Sequence, residues 1–242
     1  MSKKIALTQK SLLKEYELQG WWPLLSLHSS SGKNPTKTGS LNGYHPGDYS
    51  YPKTENERFE IICGAILTQN TAWPSVEKAL IALKEKDILS PKAITSTPKE
   101  EIGKAIRPAG YFNQKAERLK LIAEFFTGLN GRIPKRSELL KLNGVGPETA
   151  DSILLYAYSQ PEFVVDAYTK RIYSRLGAIK SEASYDEIKE ISQKELTRNT
   201  KILQEAHALL VEHAKRHCKK KNPSCTECPL LDLCEKKGVR LS

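Results

Sequence analysis

A chain of 242 residues has room for one large or two small domains, each with its own hydrophobic core. Its 38 Lys and Arg outnumber 28 Asp and Glu, giving a formal charge of +10 and a pI near 9.3, which favours a polyanionic partner such as nucleic acid. No stretch approaches the roughly 20 apolar residues of a membrane helix, and the polar start Met1-Ser2-Lys3-Lys4 leads into no signal-peptide core, so an intracellular protein without membrane contact is expected, in cytoplasm or nucleoid or in a nucleus.

In chain order, residues 8–19 place Leu12, Leu13 and Tyr16 on one face with Gly20 beyond, which predicts a short helix. Trp21-Trp22-Pro23 follows at once; two adjacent indoles are costly to expose, so they plug the core or line a pocket. Residues 28–53, rich in Ser, Gly, Asn and Pro and without a period, read as a long surface loop or insertion. From Thr54 the pattern is helical, with stripes Phe59/Ile62/Cys63/Ile66, Val76/Ala79/Leu80/Leu83, Ile102/Ala105/Ile106 and Ala116/Leu119/Ala123/Phe126. Prolines and glycines punctuate these stripes, and nothing alternates at period two, so the expected fold class is all-α. Cys63, on an apolar face, reads as a buried structural thiol.

Residues Leu142 to Asp166 carry the first chemical signal. Gly144 and Gly146 permit tight or positive-φ backbone, so that successive N–H groups can meet a phosphate at the start of the next helix. Pro147 suits the first helical position, and Ala150, Ile153, Leu154, Ala157 and Tyr158 then repeat at helical spacing, giving a helix-hairpin-helix. A plain helix connector satisfies the same residues. Asp166 follows Phe163-Val164-Val165, either as a catalytic carboxylate or as an N-cap for the segment containing Ile172 and Leu176.

Two polar connections suit a protein that rotates a base out of the DNA stack. Gln69, in Leu67-Thr68-Gln69-Asn70-Thr71, suits filling the vacated space, and Tyr111, in the loop 110–116, suits wedging between bases. Helices continue past Asp166 through Leu176, Ile188, Ile191 and Leu196, and Leu203, Ala206, Leu210 and His213 share a stripe on which His213 reads as a hydrogen-bonded core histidine. Lys215 to Lys221 hold five cations, a solvated tail unless tethered against a phosphate backbone. Four of the five cysteines, Cys218, Cys225, Cys228 and Cys234, fall in the last 25 residues. In a reducing compartment C-x6-C-x2-C-x5-C points to metal rather than disulfides, either zinc, though only one C-x2-C knuckle is present, or an iron-sulfur cluster.

The hairpin, the acid after it and the cysteine spacing with His213 and Cys228-Pro229 resemble the endonuclease III superfamily of helix-hairpin-helix DNA glycosylases, over about residues 8–236 apart from the 28–53 segment. That resemblance implies two helical domains flanking a DNA-binding cleft, residues 54–160 forming one and residues 1–53 with 161–242 the other. It implies a [4Fe-4S] cluster on the four cysteines with structural and electrostatic work, and a monomer acting on double-stranded DNA with damaged bases. DNA contacts then fall to Gln69, Tyr111, Asn113, Gly144, Val145, Gly146 and Thr149. Members that also nick the strand carry a lysine where this chain has Glu148, so a monofunctional enzyme using water and Asp166 is expected. Lys115 and Lys170 are the alternative amines. The runs around Trp21-Trp22-Pro23, Phe59 and Tyr111 resemble the 3-methyladenine DNA glycosylase branch, which implies a base pocket of Trp21, Trp22, Pro23 and Phe59, with Glu148 and Lys219 beside it. The competing readings are a mismatch (thymine or uracil) or adenine DNA glycosylase, and a non-catalytic helix-hairpin-helix DNA-binding protein.

Overall fold

The computed structural model describes residues 3–28, 35 and 42–239, and helices are the only regular structure among the described residues. Helix α1 (Lys4–Tyr16) buries Ile5, Thr8, Leu12 and Tyr16, the stripe of an amphipathic helix. It begins and ends earlier than the 8–19 pattern predicts, and Leu13 faces solvent. The chain turns away because the buried Glu205 carboxylate accepts from Gln19 N and Gly20 N at 2.8 and 3.3 Å. Gly20, at φ +63, lies so close to the 42–53 segment that a Cβ would meet Pro46 N at 2.2 Å. Leu24 N donates to Gly43 O and His45 N to Gly20 O. The described part of the 28–53 segment therefore brackets Trp21-Trp22 and is not a detached insertion; residues 29–34 and 36–41 of that expected loop lie outside the described residues.

Helix α2 (Glu55–Leu67) opens on a capping box of Thr54 and Glu57 and is buried continuously from Phe59 to Leu67, which makes it the centre of the core. Around it come α3 (Trp73–Glu85), α4 (Pro91–Ser96), α5 (Lys99–Ala105) and α6 (Phe112–Gly128), with α6 packed on α2, α4 and α5. Short α7 (Arg136–Leu139) and α8 (Pro147–Ser152) flank the hairpin, and α8 runs on into a buried π-helical turn, Ile153–Ala157, against α2. Then follow α9 (Ala167–Leu176), α10 (Tyr185–Leu196) and α11 (Thr200–Arg216). The first helix packs on the last two, so the chain's N-terminal part joins its C-terminal part. Asp151, wholly buried, accepts from Arg136, Lys189 and Tyr185 and so ties α8 to α7 and α10. Ile191, expected inside, is exposed.

Candidate active site and DNA-facing loops

A cavity of ≈ 200 Å³, the scale of one nucleobase, opens between the hairpin and the C-terminal helices. Trp21 and Trp22 reach it from the segment that Glu205 and the 42–53 residues hold. Trp22 stands edge-on to Trp73 at 5.2 Å and to Tyr156 at 5.3 Å, so both core plug and pocket wall describe it. Glu148, Thr149 and Ser152 face the cavity from α8, Asp166 from the start of α9, and His207, Val211 and Lys215 from α11, whose four-residue spacing puts all three on one face.

Asp166 is the N-cap of α9: one carboxylate oxygen accepts from Thr169 N at 2.7 Å. The other lies 3.7 Å from His207 Nε2. Burial pushes this carboxyl up, but the His207 contact and charge and the Thr169 N–H outweigh it, and the net direction is down. Capping and facing the cavity are thus compatible, because each uses its own oxygen. Glu148, at the rim, is shifted the opposite way, by partial burial and then by the negative charge of Asp166. The Lys215 amine is lowered by burial.

Three expected pocket residues lie elsewhere. Phe59 is fully buried inside α2, 5.4 Å from Phe126, because its side of α2 faces the core. Pro23 is buried and does not line the cavity. Lys219 lies past the end of α11, is exposed, and its carbonyl accepts from Arg175 at 2.7 Å. Its place is taken by Lys215, which is still on the helix. Neither alternative amine reaches the cavity. Lys115 is buried, and its ammonium donates to Leu67 O, Thr71 Oγ1 and Ala109 O, while Lys170 donates to Ala183 O on the outside. The sequence reading missed His207, Lys215 and Trp73; the 207/211/215 spacing was the available signal for the first two.

The hairpin forms as expected in part. Gly144 has φ +83, while Gly146 is extended at φ -90 and serves as N-cap of α8 without a side-chain cap. Val145 is buried beneath the turn. Gln69 lines the cavity and donates to Gly144 O at 2.8 Å and Thr149 Oγ1 at 3.0 Å, while its carbonyl accepts from Arg118 at 2.5 Å. Tyr111, at φ 47 just before α6, is 68% exposed, and Asn113 is exposed beside it.

Cys218, Cys225, Cys228 and Cys234 line one small cavity with Arg175, His213 and His217. Cys218 Sγ accepts from Arg175 Nη1 at 3.3 Å and Cys234 Sγ from Lys236 N at 3.4 Å. His213 is the expected core histidine, with Nδ1 2.9 Å from Tyr16 Oη and Nε2 3.7 Å from Cys228 Sγ. The thiols share a cavity, yet among the described residues no three of Cys, His, Asp or Glu draw together as a metal-binding group. Four soft sulfur donors on one loop are the donor chemistry that a metal-sulfur group would use.

An all-helical fold with a hairpin, a base-sized cavity and a carboxylate at its wall defines a class of DNA repair proteins. Residues 63–198 match the HhH-GPD superfamily of base excision DNA repair proteins, and the chain belongs to that superfamily. A candidate DNA repair glycosylase of Methanocaldococcus jannaschii is 48% identical over 188 residues, covering 73% of this chain and 85% of that protein. An endonuclease III of Thermotoga maritima is 33% identical over 183 residues, 75% of this chain and 84% of its own. The H. pylori 3-methyladenine DNA glycosylase bound to 1,N6-ethenoadenine superposes with a TM-score of 0.60 at 30% identity, over 65% of this chain and 84% of that one. An endonuclease III trapped in a covalent intermediate with DNA has the same fold, with a TM-score of 0.75 at 24% identity over 98% and 97% of the two chains.

Proposed function

We propose that the chain is a monofunctional DNA N-glycosylase that removes alkylated purines such as 3-methyladenine from duplex DNA by hydrolysis. The observation that carries this reading is that the two indoles, Glu148 and Asp166 face one base-sized cavity. N-alkylation makes a purine cationic, so it leaves without a general acid, and electron-rich indole faces attract it. Asp166, held ionised, stabilises the positive charge that develops on the sugar and orients the attacking water. Glu148 occupies the hairpin position where an amine would attack the sugar, and a carboxylate forms no Schiff base.

In this reading the DNA backbone meets the uncapped start of α8, Tyr111 wedges into the stack, and Gln69 leaves its hairpin partners to fill the vacated space. Asn113 adds a contact beside Tyr111. A monomer with its cavity between residues 54–160 and the remainder of the chain suffices for this. Cys218, Cys225, Cys228 and Cys234 are the residues that would hold a [4Fe-4S] cluster, whose bound form supplies a rigid cross-link of the loop and no electrons to the reaction.

Lys215 favours a second reading. Its ammonium in the cavity repels a purine cation and would donate to a carbonyl of a neutral uracil or mispaired thymine. Duplexes carrying 3-methyladenine, 7-methylguanine, uracil, a guanine-thymine mispair or adenine opposite 8-oxoguanine separate the readings by free base released. Release from methylated DNA alone, with no strand nicking before alkali, is expected. Uracil or thymine release would select the second reading, and borohydride trapping would overturn the hydrolytic route. Asp166→Asn should abolish release while leaving duplex binding intact.

A further inference from the structure

Within this cavity His207 has no role in the mechanism above, although its Nε2 faces the second oxygen of Asp166. It is 5% exposed, and its ring stands edge-on to Trp21 at 5.8 Å. Its two nitrogens have different neighbours: Nε2 faces Asp166 Oδ2 at 3.7 Å, and Nδ1 lies 2.7 Å from the hydroxyl of Tyr156. That hydroxyl also lies 3.2 Å from Gln204 O. The phenol has one hydrogen to give, and given to Nδ1 it leaves the ring hydrogen of the imidazole on Nε2, toward Asp166. Tyr156 belongs to the π-helical turn that follows α8, a distortion that carries its side chain inward beneath α11 and that recurs at functional sites.

We propose that His207, set in its Nε2–H tautomer by Tyr156, is the positioning residue of the Asp166 carboxylate. The proposal rests on the reading of Asp166 as the group that acts on the sugar. The Thr169 N–H fixes one carboxylate oxygen, and anchorage through Thr169 alone leaves the other oxygen some freedom. An N–H aimed at the second oxygen removes that freedom. The contact is long in the free protein, as such contacts often are before substrate closes them. The other titratable groups facing the Tyr156–His207–Asp166 relay are Glu148 from α8, Tyr168 and Tyr173 from α9, and Glu205 and Lys215 from α11. The loss of His207 also takes away the contact that does most to hold Asp166 ionised against burial.

The test uses the full-length protein. Nitrogen-detected imidazole spectra should report the Nε2–H tautomer for His207, and Tyr156→Phe should lose it. On whichever substrate the base-release panel identifies, His207→Leu should slow single-turnover release roughly 10- to 100-fold, the worth of a hydrogen bond to a charged group. Its acid limb should move to higher pH, with duplex affinity unchanged. His207→Gln, which keeps an N–H, should recover most of the rate. An Nδ1–H tautomer, equal rates for the Leu and Gln variants, or an unmoved acid limb would overturn the proposal. Failure of the wild-type protein to release any base overturns the glycosylase reading instead, and the tautomer is still measured independently.

Discussion

Two buried carboxyls show how single residues are tuned in opposite directions. Asp166 is lowered by its neighbours against its burial, whereas burial pushes Glu60 up to about 7, only partly offset by the Leu25 N–H and Lys84. Between its ordinary 4.5 and about 7, folded Glu60 retains a proton that the unfolded chain has released. Its stabilising contribution is therefore present at acid pH and lost as pH rises through about 7. Glu60→Gln keeps an acceptor for Leu25 N, which lies 2.7 Å from the carboxylate, and carries no charge to bury. Denaturant unfolding should show the variant gaining roughly 2–3 kcal/mol over wild type between pH 4.5 and 7.5. A pH-independent difference would remove Glu60 as the titrating group. Glu148 allows a chemical test at the same scale. Glu148→Lys places an amine at the cavity wall, and borohydride should then trap it on abasic DNA while the wild-type protein gives no adduct.

At the scale of elements, Lys115 joins the loops assigned to base flipping. From the first turn of α6 its ammonium holds Leu67 O at the end of α2, Thr71 Oγ1 in the Gln69 loop and Ala109 O before Tyr111. Lys115→Met leaves Leu67 O without this donor, while Ala109 O keeps the Thr71 hydroxyl at 2.6 Å, and thermal or denaturant unfolding should show a loss of about 1–3 kcal/mol. Base release from duplex should fall further than release from single-stranded DNA, since only the duplex needs both loops; equal losses would confine Lys115 to folding. Local chemistry explains why some elements were legible and others were not. Gly144 and Pro147 encode the hairpin through backbone rules confined to a few residues. The cost of exposing Trp21 and Trp22 marks them wherever they sit. Phe59 was misplaced because an apolar helical stripe looks the same whether it faces core or cavity, and Lys219 because helical phase ends at Arg216. His207 meets Asp166 only through the packing of α9 on α11, which no local pattern records.

For the whole molecule, the charge of +10 becomes a measurable property through where its cations stand. Lys219, Lys220 and Lys221 are exposed beyond α11, and Arg175 of α9 grips this run by donating to Lys219 O at 2.7 Å, Lys220 O at 3.2 Å and Cys218 Sγ at 3.3 Å. Helix α9 begins at Asp166, so the carboxylate at the cavity and the anchor of the basic run belong to one rigid element. If these lysines meet phosphates, each releases counterions, and the logarithm of duplex affinity falls against the logarithm of salt by about 0.9 per contact. Replacing all three by alanine should flatten that slope by between about 2 and about 3, measured by fluorescence anisotropy from about 50 to about 200 mM salt. Arg175→Ala keeps every lysine but frees the run, so it should recover part of the same flattening, whereas Tyr111→Ala should weaken binding without changing the slope. An unchanged slope in the triple variant would mean that the backbone is met elsewhere, at the hairpin alone. The base-release rate of the saturated duplex should stay near wild type in the triple variant, because the cations capture the polyanion and the cavity at the other end of α9 performs the chemistry.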